Sequence, residues 1–328
     1  MSDPLIIVED LHKRFGRHEV LRGIDFTVAK GETLVLLGRS GTGKSVTLKA
    51  LIGLLSPTSG RALVDGEQLA DLPERQQLKK RSRIGYVFQG GALFDSLSIL
   101  ENVGFPLYQK RLPVDEIRKR VSERLRMVGL GHTLDQYPSD LSGGMQKRAS
   151  LARAIIDLPD IVFYDEPTSG LDPLTTDVIN QIILRLRSAL GVTSIVVTHD
   201  IKSAFTIADR IVMLDQGKVV LTGTPEQIAD SELPWVQHFI RGEALEGEVI
   251  ATAAFRTGGT GQLSRSQMLS GRRIAVRQES GTFNIPAAEQ VSGPRDVPKP
   301  IRQSKSGRMQ AVRSESDRMQ AARSESDS

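Results

Sequence analysis

The sequence predicts an α/β domain with a mainly parallel β-sheet. Three observations lead there. Short, wholly apolar runs recur between Leu5 and Gly242. Stretches with helical periodicity separate them. A glycine-rich segment joins one such run to one such helix. Strand–helix alternation of this kind builds parallel sheets, because a parallel pair needs a crossover connection.

The elements follow in chain order. LIIVEDL (5–11) and IDFTV (24–28) carry recurring β-branched residues and read as strands. TLVLL (33–37) is apolar throughout and runs into glycine-rich sequence, as a parallel strand buried on both faces does. A helix is predicted from Ser45 to Leu55. IGYVF (84–88), IVFY (161–164) and the run at 194–197 are further buried strands. Helical patterns lie between them at about 114–128, 143–157 and 174–190.

Composition narrows the function. The chain has 328 residues, 39% apolar and 25% charged, so it can build a core. It has no cysteine, which excludes disulfides, a thiol nucleophile and zinc sites with thiolate ligands. Five scattered histidines argue against a metalloenzyme. MSDPLIIVED lacks the charged and apolar regions of a signal peptide, and no run reaches the roughly 18 apolar residues of a membrane span. The expectation is a cytosolic protein, or one held at a membrane by a partner.

The net charge of +4 is unevenly placed. Residues 256–328 hold 13 basic and 7 acidic residues, whereas the chain before them holds 30 and 32. The body therefore has no nucleic-acid footprint by net charge. Beyond residue 248 only Phe255 and Phe283 remain as aromatics, and RMQAVRSESD (308–317) is followed by its near-copy RMQAARSESD (318–327). Such a composition cannot bury enough surface to offset ordering. The predicted organisation is a folded unit over 1–248 and a largely disordered extension over 249–328.

Three motifs carry chemistry. GRSGTGKS (38–45) fits G-x-x-x-x-G-K-[ST] between a buried strand and a helix. Its residues Gly38, Arg39, Ser40, Gly41, Thr42, Gly43, Lys44 and Ser45 form the candidate phosphate cradle. Gly41 and Gly43 let backbone amides face an anion at the helix N-terminus. Lys44 has the reach for β- and γ-phosphates, and Ser45 a hydroxyl for Mg²⁺. IVFYDE (161–166) puts Asp165 and Glu166 at a strand end; Asp165 suits the metal and Glu166 a general base. LSGGM (141–145) precedes a helix and supplies a second helix N-terminus with free amides.

The order and spacing of GRSGTGKS, Gln89, LSGGM, IVFYDE, SGLD (169–172) and His199 resemble those of an ABC-type ATPase over about residues 5–240. The resemblance implies a P-loop NTPase fold with a RecA-like core, an antiparallel β subdomain and a helical subdomain at about 90–157 that carries the signature. It implies ATP and Mg²⁺ as cofactors, with Ser45, Gln89 and Asp165 toward the metal. Phe15 is then the aromatic that stacks on adenine. Gln89 senses Mg²⁺ and the attacking water. Ser142, Gly143 and Gly144 hold the γ-phosphate bound by the opposite subunit. Asp172 links the two sites, and His199 contacts the γ-phosphate and positions Glu166. The signature departs from the family pattern at Met145, where glutamine is usual.

Local features look like the Mla/Mce lipid-transport subfamily: GGALFDSLSILENVGFPL (90–107), LSGGM, and WVQHFIRGEALEG (235–247) before an extension. The implied partners are a second copy in an ATP-sandwich homodimer, an integral-membrane permease contacting 90–107, an MCE-domain protein and a small regulatory subunit, with no nucleic acid. In 90–107, Ala92, Leu93, Phe94, Leu97 and Ile99 are the candidate apolar contacts. The implied place is the cytoplasmic face of the inner membrane. The competing readings are the ATPase of a small-solute importer and a soluble ABC protein acting on DNA or ribosomes. The second lacks support: Ser45 and Asp165 stand 120 residues apart without heptads between them, and the chain has one ATPase unit.

Overall fold

The computed structural model describes residues 4–243. The extension from 249 onward and its duplication lie outside the described residues.

Two sheets organise the described chain. The strands β1 (Ile6–Phe15), β2 (His18–Val28) and β4 (Ser59–Val64) form an antiparallel sheet in the order β2-β1-β4. The second sheet contains β3 (Thr33–Gly38), β5 (Ile84–Val87), β6 (Ile161–Asp165), β7 (Thr193–Thr198), β8 (Arg210–Asp215) and β9 (Lys218–Gly223). Its order is β5-β6-β7-β3-β8-β9, parallel throughout except for the β8–β9 hairpin at one edge.

The apolar runs are explained by burial on both faces. Val35, Leu37, Val162, Tyr164, Val196 and Met213 point into one core. Their chain neighbours Leu34, Leu36, Phe163, Ile195, Val197 and Leu214 point into the other. The period of two is present, but both phases are buried, so the strands read as continuous apolar sequence. The second core is closed by the antiparallel sheet and by α1 (Lys44–Leu51).

The first core is covered by α3 (Ile99–Gln109), α4 (Val114–Met127), α5 (Gly143–Ala154) and α6 (Pro173–Leu190). In α4, Ile117, Val121 and Leu125 recur every fourth residue and are buried, while the charged residues between them are not. A capping box at Ser98 and Glu101 starts α3. Asp172 caps α6, Pro173 takes its first position, and Gly191 in the left-handed region ends it. The remaining helices are α2 (Glu74–Arg81), α7 (Ile201–Ile207), α8 (Pro225–Ala229) and α9 (Pro234–Arg241).

The helices predicted at 114–128 and 174–190 are present almost to the residue as α4 and α6. Two others stop short: α1 ends at Leu51, before the bend around Gly53 and Pro57, and α5 ends at Ala154. Strands β4, β8 and β9 and helices α2, α3, α7 and α8 come from the structure alone. No helix among the described residues is long and apolar enough to cross a membrane.

Ile99 corrects an expectation. It is wholly buried at the start of α3, where its amide donates to the Gln136 carbonyl at 2.8 Å, and it belongs to the core. Leu93 packs partly against the same core, and Leu97 is half-buried. Phe94 and Ala92 are exposed.

Candidate functional site

The centre of the parallel sheet sets the site. Strand β3 lies between β7 and β8, and β6 follows β7. In register, Leu37 pairs with Thr198 and Asp165 with Val197. The segments leaving the carboxyl ends of β3, β6 and β7 are therefore neighbours. Open α/β sheets bind ligands there.

The loop after β3 is shaped for an anion. Gly41 and Gly43 have φ of +83° and +101°. A Cβ on Gly43 would sit 2.4 Å from Leu21 Cδ2, so no other residue fits without displacement. Gly43 is also the N-cap of α1, with no side chain capping the helix and no acidic residue in the first turn. That leaves amide donors and the positive end of the helix dipole for a ligand. Thr42 Oγ donates to the Arg39 carbonyl at 2.9 Å and braces the loop. Ser40 and Gly41 face solvent.

Lys44 lies at the floor of the cradle. Its Nζ donates to the carbonyls of Gly38 at 2.7 Å and Arg39 at 2.9 Å, and stands 3.6 Å from Glu166 Oε1. The two paired side chains are only 5% and 9% exposed. Burial pulls the Lys44 ammonium below its ordinary pKa, and Glu166 opposes the shift.

Asp165 ends β6, with both carboxylate oxygens engaged. Ser45 Oγ donates to Oδ1 at 2.6 Å, and the Tyr86 hydroxyl donates to Oδ2 at 3.1 Å. Burial and the Asp165 charge push the Tyr86 phenol well above its usual pKa, so it stays a donor. The Ser45 and Asp165 oxygens fit Mg²⁺. Adjacent ligands of an octahedral ion with bonds of about 2.1 Å lie roughly 3 Å apart, close to the spacing already present. Among the described residues no group of three or more His, Cys, Asp and Glu gathers. A site of one carboxylate and one hydroxyl suits an ion whose other ligands are phosphate oxygens and water.

Glu166 follows with φ of +49°, in the left-handed region that a non-glycine residue enters at a cost of about 1–3 kcal/mol. Its amide donates to the Val197 carbonyl at 2.9 Å, which holds the turn. The strained turn presents Oε1 to Lys44 and Oε2 to His199 Nδ1 at 2.9 Å. His199 follows β7, and its side chain is about half-exposed.

The other sequence-predicted residues stand outside this cluster. Phe15 is 46% exposed beside the β1–β2 turn, with Lys13 Nζ 5.1 Å above its ring centroid. Gln89 is exposed, and its carbonyl accepts from Lys147 Nζ. Ser142 caps its own helix through Met145 N, and it and Gly143 are exposed. Gly144 is buried against Thr175, where a Cβ would meet Cγ2 at 2.5 Å. Asp172 accepts from the amides of Leu174 and Thr175 and from the Thr175 hydroxyl. Met145 packs partly against the core.

Two residues of the site were not foreseen. In the sequence Tyr86 stands only as part of a strand, and Lys147 only as part of a helix. Lys147 is 9% exposed, and burial lowers its pKa while Glu166 and Asp165 raise it.

The chain is similar to several known proteins. The family model described as "ABC transporter" matches residues 21–169. The Haemophilus influenzae "Intermembrane phospholipid transport system ATP-binding protein MlaF" is 40% identical over 245 residues, covering 74% of this chain and 93% of that protein. The Mycobacterium tuberculosis "Probable ribonucleotide transport ATP-binding protein mkl" is 40% identical over 241 residues, covering 73% and 67%. The dimeric structure of the bacterial ABC transporter cassette MJ0796 aligns with a TM-score of 0.62 at 34% identity, over 67% of this chain and 98% of that one. On the fold and these relatives together, the chain belongs to the ABC transporter family, as one of its ATP-hydrolysing, ATP-binding subunits.

Proposed function

We propose that the chain energises the movement of phospholipid or a related lipid by a bacterial envelope transporter. We assign the ATPase unit to 1–248 and treat 249–328 as an extension. The observation that carries the ATPase half is a pair of polar networks on adjacent residues. Ser45 joins Asp165, Lys44 joins Glu166, and Glu166 joins His199. Three separate strand ends supply them. The lipid half is supported by MlaF, whose name gives phospholipid transport and whose length this chain nearly spans. The GALF, LSGGM and WVQHF stretches support it independently.

The roles follow from position. Lys44 and the amides at the start of α1 neutralise the β- and γ-phosphates of ATP. Ser45 and Asp165 would hold Mg²⁺, which would supply charge neutralisation for phosphoryl transfer. Glu166 takes a proton from the attacking water, and His199 keeps that carboxylate aimed. Gln89 completes the water site from the segment after β5, and Phe15 stacks on the base. Phosphoryl transfer rests on positioning and charge, so a strained, fixed Glu166 turn suits it.

One chain gives half of each site. Ser142 and Gly143 are exposed at a helix start, apart from the cluster around Lys44. In an isologous homodimer each signature faces the partner's cradle. The permease docks in a groove of about 610 Å³ whose lining includes Phe88, Ala92, Phe94, Phe105 and Arg153.

The test is to tag the chain, purify it from native membranes in mild detergent, and identify its companions. A polytopic permease with an MCE-domain protein supports lipid transport. A permease with a solute-binding protein overturns the lipid assignment and leaves the ATP site intact. No membrane companion overturns the transport reading.

A further inference from the structure

The segment after β5 is held from one side by a single helix face. Lys147, Ser150 and Arg153 of α5 recur every third residue, and all three aim at it. Lys147 Nζ donates to the Gln89 carbonyl. Ser150 Oγ donates to the Gly91 carbonyl at 2.7 Å. Arg153 reaches the Gly91 carbonyl at 3.0 Å and that of Ala92 at 2.8 Å.

These bonds restrain an unusual backbone. Gly91 and Ala92 have φ of +76° and +49°. A Cβ on Gly91 would approach Ser150 Oγ to 3.0 Å. The segment also borders the groove, since Phe88 and Ala92 line it and Arg153 contributes to its wall. One face of α5 therefore runs from Lys147 at the Gln89 carbonyl to Arg153 at the groove.

We infer that Lys147 is a positioning residue. Its bond to the Gln89 carbonyl fixes where the Gln89 side chain stands relative to Asp165 and Glu166, with Ser150 and Arg153 holding the rest of the segment. The inference rests on the proposed role of Gln89 in the water site. The bond matters rather than the charge: a buried donor satisfies a carbonyl whether or not it is an ammonium. A methionine in its place fills similar volume but leaves that carbonyl unpartnered.

The experiment measures ATP hydrolysis by the full-length chain against ATP and Mg²⁺ concentration. The variants are Lys147→Met, Lys147→Gln, Gln89→Ala and the double variant Gln89→Ala/Lys147→Met, with thermal unfolding of each. Lys147→Met lowers kcat about tenfold or more and leaves the KM for ATP within about twofold. Lys147→Gln, which keeps a donor, stays within about threefold of the parent. In the Gln89→Ala background Lys147→Met costs less than about twofold, because no side chain remains to misplace.

A parental kcat for Lys147→Met overturns the inference. So does a Lys147→Gln variant as impaired as Lys147→Met, because charge is then the active property. Losses that multiply in the double variant overturn the inference alone. A parental kcat for Gln89→Ala overturns the Gln89 role itself and the inference with it. If Lys147→Met does not fold, Ser150→Ala carries the same comparison. It is expected to lower kcat without raising KM, and a parental kcat there overturns the inference.

Discussion

The carboxylate of Glu166 is shared between two partners, Oε2 lying 2.9 Å from His199 Nδ1 and Oε1 3.6 Å from Lys44 Nζ. The proposed base and the proposed phosphate-binding ammonium thus stand within ion-pair reach of each other. On the proposed roles, phosphates in the cradle would compete with Glu166 for Lys44. Glu166→Gln keeps the size and removes the base. Its turnover falls by about 10²–10⁴, the usual range for losing a general base. With ATP it elutes as a stable dimer, because binding proceeds and hydrolysis does not. Undiminished hydrolysis excludes Glu166 as the base.

Lys44 makes the complementary case. Its ammonium faces two carbonyls and one carboxylate inside a nearly closed site. Lys44→Ala removes the charge proposed to meet the phosphates and leaves Glu166 buried without the Lys44 cation. Nucleotide affinity drops at least tenfold in a fluorescent-ATP titration, as loss of a charged hydrogen bond worth about 1.5–3 kcal/mol requires. Unchanged affinity removes the cradle assignment.

How far the sequence reveals this site depends on how many roles each residue has. Strands β3, β6 and β7 are plain because burial on both faces leaves uninterrupted apolar runs. Their motifs are plain because glycines and paired acids at strand ends have few other uses. Tyr86 and Lys147 are hidden for the opposite reason. A tyrosine in a strand reads as packing, and a lysine in QKR reads as a solvated helix face; only tertiary structure turns both inward. Helix α3 is obscured by Gly104 and Pro106, both poor helix residues, the proline lying inside the helix. Ile99 reads as a surface contact in an apolar stretch until the turn at Ser98 directs it into the core.

Tyr86 gives a prediction about the metal. Its hydroxyl holds Asp165 Oδ2 at 3.1 Å while Ser45 holds Oδ1. Tyr86→Phe frees one oxygen and lets the carboxylate rotate. Partners of this kind are worth about 10–100-fold in metal affinity. The Mg²⁺ concentration for half-maximal ATPase rises accordingly, with ATP binding in EDTA unaltered. An unshifted Mg²⁺ curve excludes Tyr86 from orienting Asp165.

Asp172 gives a prediction about pH. The Thr175 hydroxyl and the amides of Thr175 and Leu174 hold its carboxyl below the ordinary carboxylate range. A depressed folded-state pKa contributes stability above the unfolded value, near pH 4, and loses it as pH falls toward the folded value. Asp172→Ala is therefore destabilised at pH 7, and its deficit shrinks below pH 4, where the parent loses the same contribution. Urea titrations from pH 7 to 3 measure this. A deficit independent of pH shows that the α6 cap does not depend on ionisation.

Phe94 tests the groove. Its ring is 45% exposed, yet its backbone is fixed: Phe94 N donates to Asn102 Oδ1 at 2.7 Å, and Asn102 Nδ2 returns a bond to the Phe94 carbonyl at 3.0 Å. Asn102 is wholly buried, so the aromatic is held out by construction. Phe105 packs beside it with centroids 5.0 Å apart. An aromatic anchor of this kind contributes about 2 kcal/mol at an interface, or roughly thirtyfold in Kd. Phe94→Ala removes the ring without touching the Asn102 bonds, which use only the backbone atoms of residue 94. The variant is expected to keep its thermal midpoint and ATP affinity and to lose the permease in detergent pull-downs. Retention of the permease at parental yield places the membrane contact elsewhere on the subunit.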